Sequence, residues 1–216
     1  MSLTKCFIIA EAGVNHNGDL SIAKDLVVAA KKSGADAVKF QSFKAERVIS
    51  KFADKAKYQK ESNTDSESQL EMLKKLELSD DEFIELNKFS KKEDIIFLST
   101  PKDIESAKFL ESIDLELYKI GSSEVNNLEF LDYVGRTNKP IILSTGMCRL
   151  QEVRDSVNAI KKTGNKDISL LHCVSQYPCP INQANLFAMD TMRKEFNLPV
   201  GYSDHTIGSD AVLAAV

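Results

Sequence analysis

The chain has 216 residues, 43% hydrophobic and 28% charged, with 28 Lys+Arg against 32 Asp+Glu and a net charge of −4. That is the profile of a globular protein with a sizeable core, and it excludes a basic nucleic-acid surface because the net charge has the wrong sign and no Lys/Arg stripe is present. No run is apolar enough to span a membrane or to serve as a signal peptide, so no membrane partner and a cytoplasmic location are expected. Four scattered cysteines (Cys6, Cys148, Cys173, Cys179) without a C-x-x-C pair fit a reduced compartment.

Short apolar runs alternate with amphipathic stretches along the whole chain. The runs are "CFIIAEA" (6–12), "AVKFQS" (37–42), "IIFLST" (95–100), "LYKIGS" (117–122), "PIILST" (140–145), "ISLLHC" (168–173) and "LPVGYSD" (198–204). Between them, "LSIAKDLVVAAKKSG" (20–34) spaces Ile22, Leu26, Val27 and Ala30 for one helical face. Gly34 supplies a stop. Residues 69–78, 80–92, 103–113 and 150–164 carry the same helical pattern, and 209–216 begins another. The polar stretch 50–68 has no periodicity and reads either as a surface excursion over a site or as a plain solvated loop.

Strand, helix, strand, helix means a parallel α/β fold. Six or more runs end in polar or ionisable residues: Glu11; Lys39 and Gln41; Ser99 and Thr100; Lys119, Ser122 and Glu124; Ser144 and Thr145; His172, Ser175 and Tyr177; Ser203, Asp204 and His205. Polar ends on nearly every strand favour a closed (β/α)8 TIM barrel, where those ends share one face, over an open sheet, where only the switch point needs them. Helix capping explains some Ser, Thr and Asp residues, but not Lys39 and Lys119, which lie inside apolar runs. A lysine there needs an anionic partner. Two partners are open: a small phosphorylated or carboxylated ligand, or a neighbouring carboxylate such as Glu11 or Glu124. His172, Cys173 and Cys179 match no structural-zinc spacing. His205, beside Asp204, is the better metal-ligand candidate.

"IAEAGVNHNGD" (9–19), "ADAVKFQ" (35–41), "STP" (99–101), "YKIGSSE" (118–124), "LSTGM" (143–147), "LLHCVSQYP" (170–178) and "GYSDHT" (201–206), taken in order, resemble the sialic acid synthases. "SQLEMLKKLELS" (68–79) is similar to the bacterial members. The resemblance implies a TIM-barrel enzyme that condenses phosphoenolpyruvate with an N-acetylated hexosamine to a nine-carbon 2-keto acid and phosphate, by C–O cleavage, with Mn²⁺ or Mg²⁺. It implies phosphoenolpyruvate binding by Lys39, Thr100, Lys119, Ser122, Ser144 and Ser203. Glu11, Gln41, Glu124 and Tyr177 would contact the sugar or assist proton transfer. Of these, Glu11, Glu124 and Lys39 would be catalytic, and His205 would be a metal ligand. Ser175 stands where some members carry Asn near the sugar, which leaves N-acetylmannosamine and a 2,4-diacetamido-trideoxy hexose both open.

The resemblance further implies a homodimer and a C-terminal antifreeze-like domain. With seven strand candidates, residues 1–216 are expected to be a synthase barrel lacking its last βα unit. The second metal-binding histidine is expected past Val216. Two other readings stay open: a Schiff-base aldolase using Lys39 or Lys119, and a non-catalytic carbohydrate-binding fragment.

Overall fold

The computed structural model describes residues 5–53 and 68–216. Most of the polar stretch 50–68 lies outside them. The chain divides into two compact units, Met1–Glu116 and Leu117–Val216.

In the first unit β1 (Ile9–Gly13), β2 (Ala37–Ser42) and β3 (Ile96–Pro101) form a parallel sheet in the order β1-β2-β3. Helix α1 (Leu20–Lys32) links β1 to β2. The short α2 (Ala45–Val48), α3 (Gln69–Lys74) and α4 (Asp80–Lys92) lie between β2 and β3, and α5 (Ile104–Ser112) follows β3. In the second unit β4 (Tyr118–Ile120), β5 (Ile141–Ser144), β6 (Ile168–Cys173) and β7 (Val200–Ser203) form a four-stranded parallel sheet in chain order. Its helices are α6 (Leu128–Arg136), α7 (Leu150–Lys162), α8 (Ala188–Phe196) and α9 (Asp210–Ala215), with 3-10 turns at Ser122–Glu124 and Ile181–Gln183. All seven expected strands are present and parallel, so the α/β class holds. Strand pairing defines two sheets, and the closed eight-stranded barrel remains part of the proposal below.

The strands are greasy because helices cover them. Val38, Phe40, Leu98, Tyr118, Ile120, Leu143 and Leu170 are fully buried. Helix α1 departs from its expected face. The buried stripe is Ala23, Val27 and Ala30, while Ile22 is 40% exposed and Leu26 half-buried. Small residues let the helix lie close to the sheet, and the branched Ile22 is left at the edge.

Helix starts are set by side chains. Asp19 accepts from the Ser21 and Ile22 amides, Asp103 from Ser106, and Asn127 from Phe130. Ser68 and Ser79 each close a capping box with the glutamate three residues on. None of Ser99, Thr100, Ser144, Thr145 or Ser203 caps a helix, so the capping explanation for these strand-end hydroxyls falls away. Helix ends are equally regular. Left-handed residues follow six helices: Gly34, Asp94, Asp114, Asn138, Gly164 and Asn197. All are Gly, Asp or Asn, the types that tolerate positive φ at a helix C-terminus.

Candidate active site

The first unit places four of the expected residues along its strand ends. Glu11 and Lys39 are register partners in β1 and β2, so their side chains share one face of the sheet. They form an ion pair in which the lysine side chain is 10% exposed and the carboxylate 51%. The carboxylate alternative for Lys39 is therefore realised here, with Glu11 as the partner. Lys39 Nζ also donates to Thr100 Oγ1 at 3.4 Å. Gly13 bends the end of β1 at φ +55°, where the register shifts, and a Cβ there would sit 3.2 Å from Glu11 Oε1 and 3.7 Å from Gln41 Nε2. The glycine thus leaves room for two of the expected site side chains.

In the second unit Lys119, 5% exposed, donates to Ser144 Oγ at 2.6 Å and to the Ile120 carbonyl at 3.1 Å. The geometry repeats that of the first unit. Thr100 lies two residues past Leu98, the register partner of Lys39, and Ser144 lies two past Ile142, the register partner of Lys119. Each ammonium therefore leans toward the C-terminal end of the next strand and meets a hydroxyl there.

Beyond Lys119 the hydroxyls gather around a residue that sequence reading did not assign to the site. Cys173 is buried at the end of β6, as the register partner of Ser203. Its sulfur lies 3.8 Å from His205 Nδ1, and the hydroxyls of Ser203 and Ser122 face it as well. Burial pushes the thiol up, but His205 and the two serines outweigh it, leaving Cys173 below its ordinary value. The signal available in the sequence was its place at a strand end, immediately after His172. Ser122 Oγ accepts the Gly146 amide at 2.8 Å. Glu124 Oε2 accepts from the Asn127 side chain at 3.3 Å, and Ser175 is half-buried.

His205 Nδ1 lies 2.7 Å from the Val174 carbonyl. A carbonyl can only accept, so Nδ1 carries the proton, and Nε2 holds the lone pair in the neutral ring. That is the orientation a ligating imidazole takes. Contact with Cys173 is the main cause raising the histidine above its ordinary value, opposed by burial. The Asp204 carboxylate accepts from Tyr202 Oη at 3.0 Å and from the Thr206 amide and hydroxyl at 2.9 and 3.0 Å. Tyr177, half exposed, packs on the His205 ring with centroids 4.1 Å apart. His172 is structural: Nε2 bonds the Ala184 carbonyl at 2.8 Å and the ring stacks on Tyr202. Among the described residues no group of three or more His, Cys, Asp or Glu is placed to hold a metal ion, and one imidazole is not a coordination set.

Parallel βα units with lysines and hydroxyls at their strand ends define an α/β protein of the kind that seats small ligands at that edge. Residues 26–216 match the NeuB family, and the chain belongs to it. It is 51% identical over 216 residues to the N,N'-diacetyllegionaminic acid synthase of Campylobacter jejuni, covering 99% of this chain and 65% of that protein. It is 50% identical over 207 residues to the enzyme of the same name from Legionella pneumophila, covering 94% and 58%. The chain thus spans about three-fifths of the length of these relatives. Among solved structures it matches an N-acetylneuraminic acid (sialic acid) synthetase from Leptospira borgpetersenii, in complex with citrate. That match has a TM-score of 0.88 and 34% identity, covering 98% of this chain and 69% of the other. No helix among the described residues is long and apolar enough to cross a membrane.

Proposed function

We propose that this chain is the synthase portion of an enzyme that condenses phosphoenolpyruvate with an N-acetylated hexosamine, giving a nine-carbon 2-keto acid and phosphate. The observation that carries the reading is the pair of embedded lysines, each hydrogen-bonded to a hydroxyl at the end of the next strand. In each unit a buried ammonium beside a hydroxyl suits an anionic group such as phosphate or carboxylate. Lys119, Ser122, Ser144 and Ser203 would hold phosphoenolpyruvate, with Lys39 and Thr100 completing its neutralisation. Glu11 and Glu124 would exchange protons with the reacting groups, and Gln41, Ser175 and Tyr177 would contact the sugar. Identity of about half to two N,N'-diacetyllegionaminic acid synthases favours a 2,4-diacetamido-trideoxy hexose over N-acetylmannosamine.

In the proposed reaction the methylene carbon of phosphoenolpyruvate bonds to the sugar's aldehyde carbon, whose oxygen takes a proton. Water adds to the former enol carbon, and phosphate leaves as the bond from that carbon to the bridging oxygen breaks. The chain's residues bind and orient the two substrates and carry the protons. A divalent cation, Mn²⁺ or Mg²⁺, is part of the proposal, with His205 Nε2 as one ligand. When bound, it would polarise the aldehyde. The reading also takes in the (β/α)8 barrel, a C-terminal antifreeze-like domain, a homodimer and a cytoplasmic setting.

The test is phosphate release by the full-length gene product with phosphoenolpyruvate and each hexosamine in turn, with and without EDTA. Release is expected with a diacetamido sugar and its loss in EDTA. No release with any N-acetylated hexosamine would overturn the assignment. In ¹⁸O-water the phosphate should stay unlabelled, and labelled phosphate would contradict C–O cleavage.

A further inference from the structure

We propose that Gly146 is a positioning residue: its amide holds the Ser122 hydroxyl, and its lack of a side chain is what lets the Ser122 and Ser175 hydroxyls both approach. The functional consequence rests on the phosphoenolpyruvate reading above. The contacts do not.

Gly146 follows β5 in "STGM". Its amide donates to Ser122 Oγ at 2.8 Å. A Cβ on Gly146 would lie 2.4 Å from Ser175 Oγ, 3.0 Å from Ser122 Oγ and 3.2 Å from the Cys173 carbonyl. The backbone does not explain the glycine, because Gly146 is absent from the positive-φ residues while its neighbour Met147 adopts φ +63°. A methionine takes the left-handed conformation, at a cost of about 1–2 kcal/mol, and the glycine beside it does not need that freedom. Space is the remaining reason. Three segments converge here: the turn after β4 through Ser122, the β5–α7 loop through Gly146, and the chain after β6 through Ser175.

The amide also sets the polarity of Ser122. With one lone pair taken by Gly146 N–H, the hydroxyl proton points elsewhere. In this structure the Cys173 sulfur faces it. Sulfur is a weak acceptor, so a phosphate or carboxylate oxygen would take that proton in preference. Ser122 is thereby held ready as a donor to an anion.

The test uses the full-length protein with Gly146→Ala, Ser175→Ala, Ser122→Ala and the double variant Gly146→Ala/Ser175→Ala. Readouts are the denaturation midpoint, phosphoenolpyruvate binding by calorimetry, and the Michaelis constants for phosphoenolpyruvate and sugar against turnover. G146A is expected to bind phosphoenolpyruvate roughly tenfold or more weakly, the scale of one charge-assisted hydrogen bond. Its affinity should approach that of S122A. Removing the Ser175 hydroxyl relieves the 2.4 Å contact, so the double variant should recover part of both midpoint and affinity. It is also the readable protein if G146A does not fold. Phosphoenolpyruvate affinity within twofold of wild type in G146A overturns the proposal, as does strict additivity in the double variant. If the wild type binds no phosphoenolpyruvate, the functional reading fails, and non-additive or additive midpoints alone then support or refute the Gly146 contacts.

Discussion

Glu11→Gln separates the ion pair at the end of β1 from the sheet that carries it. The variant keeps the size of the side chain and removes its charge. Lys39 is left with a 10% exposed side chain and one hydroxyl contact at 3.4 Å. Breaking a fully buried pair costs about 3–5 kcal/mol, and breaking an exposed one costs about 0.2–1 kcal/mol. The carboxylate is half exposed, so the expected loss is about 1–3 kcal/mol, between those limits. Lys39→Met should cost less, because Glu11 can then turn to water. The double variant should cost clearly less than the sum, since it leaves no unpaired buried charge. Urea denaturation of the four proteins measures this cycle. A Glu11→Gln midpoint equal to wild type, or additivity within about 0.5 kcal/mol, would refute the claim that the ion pair with Glu11 holds Lys39 in place.

Gly18→Ala should destabilise by about 2–4 kcal/mol. The position has φ +77°, and a Cβ would fall 2.4 Å from the Lys75 carbonyl oxygen. An unchanged midpoint would contradict that packing. His16 is buried, with Nδ1 accepting the Gly18 amide and Nε2 without a hydrogen-bond partner. Burial lowers its pKa from 6.5, with Glu82 opposing. Between that lowered value and 6.5 the unfolded chain binds the extra proton, so stability should fall as pH drops below 6.5 and level off past the folded value. His16→Gln should flatten the slope, and an equal slope in both proteins would contradict the assignment. Borohydride with pyruvate should leave the protein mass unchanged, because the proposed condensation forms no imine. A trapped adduct on Lys39 or Lys119 would restore the aldolase reading.

The strands were legible because each is a short, mostly apolar run closed by a polar end, and "AVKFQS" matches β2 residue for residue. Lys39 and Lys119 stood out for the same reason: a cation inside such a run is costly without a partner. What the pattern could not supply was the partner. Glu11 meets Lys39 because β1 and β2 pair in one particular register, and register is a tertiary property. The partners of Asp204 were hidden in the same way, since its carboxylate accepts from Tyr202 and Thr206. Cys173 and Gly146 were hidden because their importance lies in what approaches them across strands. Ile22 has the right spacing for a core position, but α1 packs on the small residues one step round.

Calorimetric titration of phosphoenolpyruvate into the full-length protein, its Lys119→Met variant and its Lys39→Met variant tests the central claim most directly. Loss of a charged hydrogen-bond partner, worth about 1.5–3 kcal/mol, predicts affinity lower by roughly 10- to 150-fold in each variant, with the fold retained. Wild-type affinity in both would mean that the two buried ammonium groups serve the sheets alone and bind no phosphoenolpyruvate.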